Sequence, residues 1–307
     1  MKQLEENNTP LSESNNTLQT GQIEIKAYPD DNNKIGFSVD TARITIDWGD
    51  GNIEEATPKG NKRSLKYKFK HTYPNYNLQT IRINAERMTE FEWRWGNFPE
   101  LQFGDCPELE KICCYSRNLN SLDVSKCVAL RSLYCWNNQL TYLNVSKCTS
   151  LNDLKCGGNQ LTYLDVSKCT ALTCLDCGGW GDYFRDNYSH QLTYLNINEC
   201  TALTELYCGN NSLTSLDVGK CTVLTTLNCA TNKLIALEVS KLKDLSGLVC
   251  SGNQLSASAL NTLFNSLPTR KQDDEAVIWF EDNPGYDTCD KTIFEKKGWV
   301  EHISISD

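Results

Sequence analysis

The sequence lacks an excess of basic residues and any long apolar run. Its 39 acidic residues outnumber its 30 basic residues, which gives a net charge of −9. A nucleic-acid-binding protein needs a basic face to displace counterions from phosphates, so this balance argues against that class. No apolar stretch approaches the roughly 18–20 residues of a membrane-spanning helix, and the mean hydropathy is −0.48. We therefore expect no nucleic-acid partner and no membrane span.

Catalytic signatures are absent as well. The chain has no HExxH, GxSxG, Walker or GxGxxG motif, and its three histidines, His71, His190 and His302, are scattered along the sequence. The row of alternating charges near the end of each repeat, described below, is typical of a solvated face. The sequence predicts a protein that is not an enzyme and has no cofactor and no metal site.

Cysteine, by contrast, is abundant, and its spacing reveals a repeat. Of the 16 cysteines, 13 fall on the two cysteine positions of an alignment of the form L-x-x-L-x-C-x-x-N-x-L-x-x-L-D-V-S-x-C-x-x. A degenerate copy opens at Met88. The coil that opens at Leu172 contains a ten-residue insertion near residues 178–190, and every other coil has 21 residues. This makes eight coils in all. The seven regular copies open at Leu109, Leu130, Leu151, Leu172, Leu203, Leu224 and Leu245.

Each coil alternates apolar and other residues with the period of a β-strand, once in each half. The two halves are expected to form two short strands on opposite sides of a flattened spiral. Stacked coils then build parallel sheets, and because one coil cannot stabilise itself, the stack needs a cap at each end. The predicted fold is mainly β: a solenoid of eight coils with an N-terminal β-sandwich cap and an α/β C-terminal cap.

The motif L-x-x-L-x-C-x-x-N-x-L resembles the leucine-rich repeat, over residues 88 to about 255. It is most similar to the short 21-residue type of internalin-like surface proteins from Bacteroides-type bacteria. The resemblance implies a solenoid that binds other molecules at a bacterial surface, or in a secreted form. The N-terminal stretch of this chain, however, shows no apolar segment of a secretory signal.

The cysteines are expected to form two ladders of buried free thiols, at positions 6 and 19 of the coil. Disulfides along a ladder are the alternative, but side chains in register point in parallel rather than toward each other. A chain of metal ions is a further alternative, which a straight row of thiols does not favour. Cys113 and Cys174 are predicted to face outward, and Cys289 is not placed.

The two ends lack the repeat. Residues 1–20 are predicted to be disordered, and residues 21–87 contain five short strand patterns. The run DWGDG at residues 47–51 and the run HTY at 71–73 resemble the signature of PKD-type β-sandwiches. Asp47, Asp50 and Glu54 could hold calcium, but a tight turn is the simpler interpretation. After residues 88–255, residues 256–307 alternate helix and strand patterns and are expected to cap the last coil.

Two sets of aromatic residues are candidates for ligand binding. The first lies on the outward face of the early coils, where exposed aromatic side chains can anchor a protein or stack on sugars. The alternative is that Trp95 and Tyr115 only cover the joint to the sandwich. The second set lies in the insertion, and it either binds or packs on neighbouring coils. The candidates are Trp95, Tyr115, Tyr134 and Trp136 on the coils and Trp180, Tyr183, Phe184 and Tyr188 in the insertion.

A third row, Tyr142, Tyr163 and Tyr194, is interpreted as decoration of the repeat. The function predicted from these features is non-catalytic binding of a protein partner, in adhesion at a bacterial cell surface, by a monomer. Two other hypotheses stay open: a carbohydrate-binding protein, and a structural spacer without a ligand of its own.

Overall fold

The computed structural model describes residues 21–57, 65–115, 118–179, 191–271 and 274–302, with the side chain of Leu65 excepted. The described chain is mainly β, with two short helices. The predicted insertion near 178–190 lies outside the described residues from position 180 onward.

The N-terminal region contains eight strands of four to eight residues. Along strands such as Gln22–Tyr28 and Gln79–Glu86, buried apolar residues alternate with more exposed polar residues, as expected for strands that bury one face. The strands are β1 (Gln22–Tyr28), β2 (Lys34–Thr41), β3 (Arg43–Asp47), β4 (Ile53–Ala56), β5 (Leu65–Thr72), β6 (Gln79–Glu86), β7 (Glu90–Trp95) and β8 (Asn97–Phe103). They pair in an antiparallel way in two groups, β5-β2-β7 and β8-β1-β6-β3-β4.

The solenoid contributes strands of three residues each. One strand per coil begins at the third position of the repeat, as the sequence predicts, and these strands pair in parallel without a register shift. They are β9 (Lys111–Cys113), β11 (Ser132–Tyr134), β12 (Asp153–Lys155), β14 (Cys174–Asp176), β16 (Glu205–Tyr207), β17 (Thr226–Asn228) and β18 (Gly247–Val249).

The expected second strand of each coil is largely missing from the described residues. It forms in three coils, as β10 (Ser121–Asp123), β13 (Tyr163–Asp165) and β15 (Tyr194–Asn196). A turn follows at position 15 in coils with and without this strand. The side-chain oxygen at position 15 accepts the N–H two residues later, as Asp165 Oδ1 does from Ser167 at 2.8 Å. The polar row at position 15 therefore has a structural role in the turn.

The N-terminal sheets continue directly into the solenoid. Strand β7 pairs antiparallel with β2 on one side and parallel with β9 on the other, and β8 pairs with both β1 and β10. The degenerate coil that opens at Met88 thus belongs to both regions. The result is one sheet of twelve strands and one of six.

The interior of the solenoid contains two cysteine ladders. All sixteen cysteines are free thiols, and fourteen of them are buried. At position 19 the thiol donates to a carbonyl of the preceding coil, as Cys200 Sγ does to Val166 O at 3.3 Å. Burial raises the pKa of the Cys200 thiol to about 12. The cysteine ladder predicted from the sequence is confirmed.

A ladder of buried asparagines runs beside the cysteines. Asn232 Nδ2 donates to Cys208 O at 3.0 Å and Cys229 O at 3.1 Å, and its Oδ1 accepts the N–H of Leu213 at 3.0 Å. Each such asparagine therefore ties two coils together through three backbone groups. The ladder comprises Asn138, Asn159, Asn211, Asn232, Asn253 and Asn283.

Asn283 shows that the repeat geometry extends beyond the last predicted coil. It bonds Cys250 O and Phe280 O in the manner of the other ladder asparagines. Strands β19 (Val277–Trp279) and β20 (Val300–Glu301) add to the twelve-stranded sheet in parallel. The two helices are α1 (Ala257–Ser266), which buries Leu260, Leu263 and Phe264, and α2 (Thr292–Glu295). Among the described residues there is no helix with the length and apolarity to cross a membrane.

The DWGDG segment forms a turn. Asp47 Oδ1 accepts the N–H of Gly49 at 2.9 Å, and Asp50 Oδ1 accepts the N–H of Asn52 at 3.1 Å. Asp50 Oδ2 also lies 2.7 Å from His71 Nε2, and the His71 ring stacks on Trp48. Across the described ranges, no three acidic, histidine or cysteine side chains are arranged to hold a metal ion.

Candidate binding surface

Four of the predicted binding residues lie on the outward side of the twelve-stranded sheet, close to the junction with the N-terminal strands. We call Trp95, Tyr115, Tyr134 and Trp136 the aromatic face. Trp95 and Tyr115 are 40% and 42% exposed, and Tyr134 and Trp136 are half-buried. The joint to the N-terminal sheets therefore leaves much of the surface of Trp95 and Tyr115 open to solvent.

Tyr115 and Trp136 form a stacked pair. They occupy the same position in two successive coils, one strand spacing apart, and their ring centroids are 4.8 Å apart with the planes at 11°. Two nearly parallel rings this close must overlap face to face rather than lie side by side. Each ring thus turns one face to its partner, and the pair presents mainly its edges outward.

Tyr134 lies between two lysines, one from each neighbouring strand. The ammonium of Lys111 is 5.6 Å and that of Lys155 is 5.4 Å from the centroid of the Tyr134 ring. The hydroxyl donates to Asp153 Oδ2 at 2.5 Å. Burial, and then this hydrogen bond to a carboxylate, raise the pKa of Tyr134 to about 12, so it stays a neutral donor at physiological pH.

Trp95 lies over a glycine of the adjacent strand. Gly36 pairs with Trp95 in the sheet, and a Cβ at Gly36 would lie 2.3 Å from a Trp95 ring carbon. The absence of a side chain at Gly36 therefore makes room for the indole on the sheet surface. Lys70 covers the ring from the edge strand β5, with its ammonium 5.5 Å from the ring centroid.

The charges on this side of the sheet change sign along the stack. Near the junction, Glu92 pairs with Lys66 at 3.4 Å and with Arg94 at 2.9 Å. Burial acts to raise the pKa of Glu92. A hydrogen bond from Ser38, followed by the charges of Arg94 and Lys66, outweighs this effect and holds the pKa below its usual range. Beyond β12 the acidic residues of the next two strands are Asp176, which is nearly buried, and the exposed Glu205, in register with Lys155 and Cys174 respectively. The aromatic face thus lies in the half of the sheet that contains the lysines.

The other four predicted residues, Trp180, Tyr183, Phe184 and Tyr188, lie outside the described residues, as does His190. Their assignment to a binding site stays a prediction.

The sequence analysis underestimated the row Tyr142, Tyr163 and Tyr194. These side chains are 61%, 50% and 49% exposed, and the Tyr163 and Tyr194 rings stack with centroids 5.1 Å apart. Their recurrence at position 13 of three coils was the available signal. They form a second exposed aromatic row on the six-stranded side of the coils, away from the aromatic face.

The two cysteines predicted to face outward differ in exposure. Cys174 is half-buried between Asp153 and Glu205, in agreement with the prediction. Cys113 occupies an outward position of its strand, as predicted, but larger neighbours cover it and it is only 7% exposed. It lies in register between Glu92 and Tyr134, whose larger side chains flank it. Burial raises the pKa of Cys113 to about 11, so its thiol is a poor nucleophile at neutral pH.

Taken together, the geometry defines a mainly β solenoid of leucine-rich coils with an internal cysteine ladder and an exposed aromatic face. It is similar to the solved functional domain of InlJ from Listeria monocytogenes, which includes a cysteine ladder. The two chains share 29% identity over 62% of this chain and 43% of that chain, with a TM-score of 0.42. This chain thus spans less than half of that structure.

Two further solved structures resemble the chain. Internalin C2 from Listeria monocytogenes is 18% identical over 59% of this chain and 74% of its own, with a TM-score of 0.43. The Toll–Spätzle complex of Drosophila is 20% identical over 59% of this chain and 26% of its own, with a TM-score of 0.46. No family model matches the sequence, and neither does any of the curated proteins.

Proposed function

We propose that the protein is a non-catalytic binding protein that takes a protein partner on the aromatic face. The observation that supports this most directly is the exposed stack of Tyr115 and Trp136 at the surface of a regular sheet. Exposed aromatic side chains supply most of the binding energy in protein interfaces. A solenoid holds them on a rigid support, which keeps the entropy cost of binding low.

Carbohydrate binding is the second candidate, and the ring geometry makes it less favourable. A sugar stacks on the open face of an aromatic ring. On the aromatic face, however, Tyr115 and Trp136 turn one face toward each other, and both sides of the Tyr134 ring are approached by lysines. These rings do not form the flat platform that a sugar chain would need.

Other parts of the proposal concern the rest of the chain. We assign residues 21–87 to a PKD-like β-sandwich, 88–255 to the solenoid and 256–307 to a C-terminal cap. Adhesion at a bacterial cell surface by a monomer is proposed on the resemblance of the repeat. The insertion near 178–190, which leaves the coil next to Gly178 and Gly179, is proposed as a second contact with the partner.

The test is a binding screen of the purified protein against a panel of extracellular proteins and a glycan array. A Tyr115→Ala, Trp136→Ala double variant removes the stacked pair of the aromatic face. The matched control is Tyr163→Ala, Tyr194→Ala, which removes a stacked and more exposed pair from the other side. We expect a protein ligand that binds the wild type and the control and is lost, by at least about a hundredfold, with the first variant.

A ligand lost only with the control variant would move the site to the tyrosine row. A glycan lost with the first variant would favour the carbohydrate-binding alternative. If the folded protein binds nothing in either panel, the result would favour the structural-spacer hypothesis.

A further inference from the structure

We infer that the partner presents an acidic protein segment to the aromatic face, where Lys70, Lys111 and Lys155 receive its carboxylates. The inference rests on the proposed function, because it names the chemistry of the partner at that same surface. The protein has a net charge of −9, yet lysines without carboxylate partners lie beside aromatic residues of this surface.

The three ammonium groups contact aromatic rings instead of carboxylates. Lys111 and Lys155 lie over Tyr134, and Lys70 lies over Trp95. Within the described ranges none of the three forms an ion pair, whereas nearby cations do: Lys66 pairs with Glu90 at 3.0 Å and Arg131 with Glu110 at 3.7 Å. A cation over a ring keeps most of its capacity to bind an anion, since the ring occupies only one side of the ammonium.

Three acidic residues of this region, Glu90, Glu92 and Asp153, already have partners among its side chains. Glu90 and Glu92 pair with Lys66, and Glu92 also pairs with Arg94. Asp153, the carboxylate next to Tyr134, accepts the hydroxyl of that tyrosine through one oxygen. Positive side-chain charge therefore exceeds negative charge on β5, β2, β7, β9, β11 and β12. A partner that presents carboxylates would complement this excess.

The position of the acidic residues also limits where the segment lies. The exposed Glu205 lies beyond β12 and would repel an acidic chain, and the nearly buried Asp176 adds negative charge beneath the same part of the sheet. The segment must therefore lie over the junction half of the sheet, across the aromatic face. A protein segment fits better than an anionic glycan because its apolar side chains can pack against ring edges, whereas a sugar needs the ring faces that the lysines and the stack occupy.

The experiment measures binding of a fluorescent Asp- and Glu-rich peptide by the full chain, at low and at physiological salt. A peptide with the same sequence but Gln and Asn in place of the acids is the probe control, and heparin-derived oligosaccharide tests a polyanionic glycan. The protein variant is Lys111→Gln with Lys155→Gln. Its matched control is Lys220→Gln with Lys241→Gln, two exposed lysines of the other side of the coil.

We expect the acidic peptide to bind, to weaken as salt rises, and to lose about tenfold or more in affinity with the first variant but not with the control. The inference is overturned if the amide peptide binds equally well, if the first variant binds like the wild type, or if only the oligosaccharide depends on these lysines. The proposed function can stand when this inference fails. If a protein ligand needs Tyr115 and Trp136 but binds equally well without the lysines, the proposed function is supported and the acidic segment is refuted.

Discussion

The N-terminal region and the solenoid build their apolar cores in very different ways. Strands β1 to β8 are four to eight residues long and antiparallel, and their core is built on aromatic packing around Phe37. Solenoid strands have three residues, and their core consists of leucine and cysteine. No cysteine occurs before Cys106. In a long strand most backbone N–H and C=O groups form hydrogen bonds with the neighbouring strands. A three-residue strand pairs few of these groups, so nearby carbonyls need another hydrogen-bond donor.

The buried asparagines supply that donor. Each coil pairs only three residues in the sheet, and the carbonyl that follows, at position 6, points into the interior. There it meets the side-chain amide of an asparagine from its own coil and of one from the next. The solenoid therefore depends on its asparagine ladder and on the neutral thiols beside it, whereas the N-terminal sheets have neither.

Alkaline pH should have the largest effect that tests this difference, as a fall in the free energy of unfolding. Burial raises the pKa of the Cys148 and Cys221 thiols from 9.0 to about 11, and those of Cys169 and Cys200 to about 12. Because the folded pKa values lie above the unfolded ones, the stabilisation is complete below pH 9 and is lost as pH rises through the folded values. Each such thiol contributes a slope of about 1.4 kcal/mol per pH unit. Urea unfolding of the reduced protein, followed by circular dichroism, should show a steep fall of the free energy of unfolding above pH 9.

A Cys169→Val, Cys200→Val double variant provides the control, since removing two ionisable groups should flatten the slope by about 3 kcal/mol per pH unit. A free energy of unfolding that stays constant between pH 9 and pH 11 would contradict the prediction.

The second effect is that of the asparagine ladder itself. Asn232→Ala leaves the buried N–H of Leu213 without its partner and removes one of the two asparagine donors of Cys208 O and of Cys229 O, which keep those of Asn211 and Asn253. One unsatisfied buried group costs about 1–3 kcal/mol, so with the two lost bonds we expect a loss of about 2–3 kcal/mol in the free energy of unfolding. The same substitution at the exposed Asn198 should change it by less than about 0.5 kcal/mol. A loss at Asn232 no larger than that at Asn198 would show that the ladder is dispensable.

Much of this architecture could be predicted from the sequence because the repeat fixes register. Residues at one position of successive coils become neighbours, which is why Tyr115 and Trp136 were expected side by side and are found stacked. The same logic applies to Asn283. Its spacing from Phe280 equals that from cysteine to asparagine in each coil, although the sequence analysis assigned this stretch to a cap.

The contacts that sequence analysis missed join positions that no repeat relates. Trp95 and Gly36 belong to different strands of the N-terminal region, and Lys70 reaches Trp95 from a third strand. Glu92, by contrast, occupies position 5 of the coil that opens at Met88 and lies beside Cys113 at position 5 of the next coil, as the repeat predicts. Among the described residues the second strands form in three coils only, and the hydrogen bonds from position 15 do not decide where, because they occur in coils with that strand and in coils without it.

The smallest effect separates the two cysteine ladders. The Cys208 side chain is completely buried and forms no hydrogen bond within the described structure, whereas Cys200 Sγ already donates to Val166 O. A serine hydroxyl at position 208 would be buried without a partner and should lower the free energy of unfolding by about 2 kcal/mol. At position 200 the hydroxyl can take over the existing bond, and Cys200→Ser should cost about 1 kcal/mol less. Cys208→Ala and Cys200→Ala correct for the lost sulfur in the same urea titrations. Equal costs for the two serine variants would mean that the thiols of both ladders are packing groups alone, and that the polar bonds of the solenoid reside entirely in its asparagines.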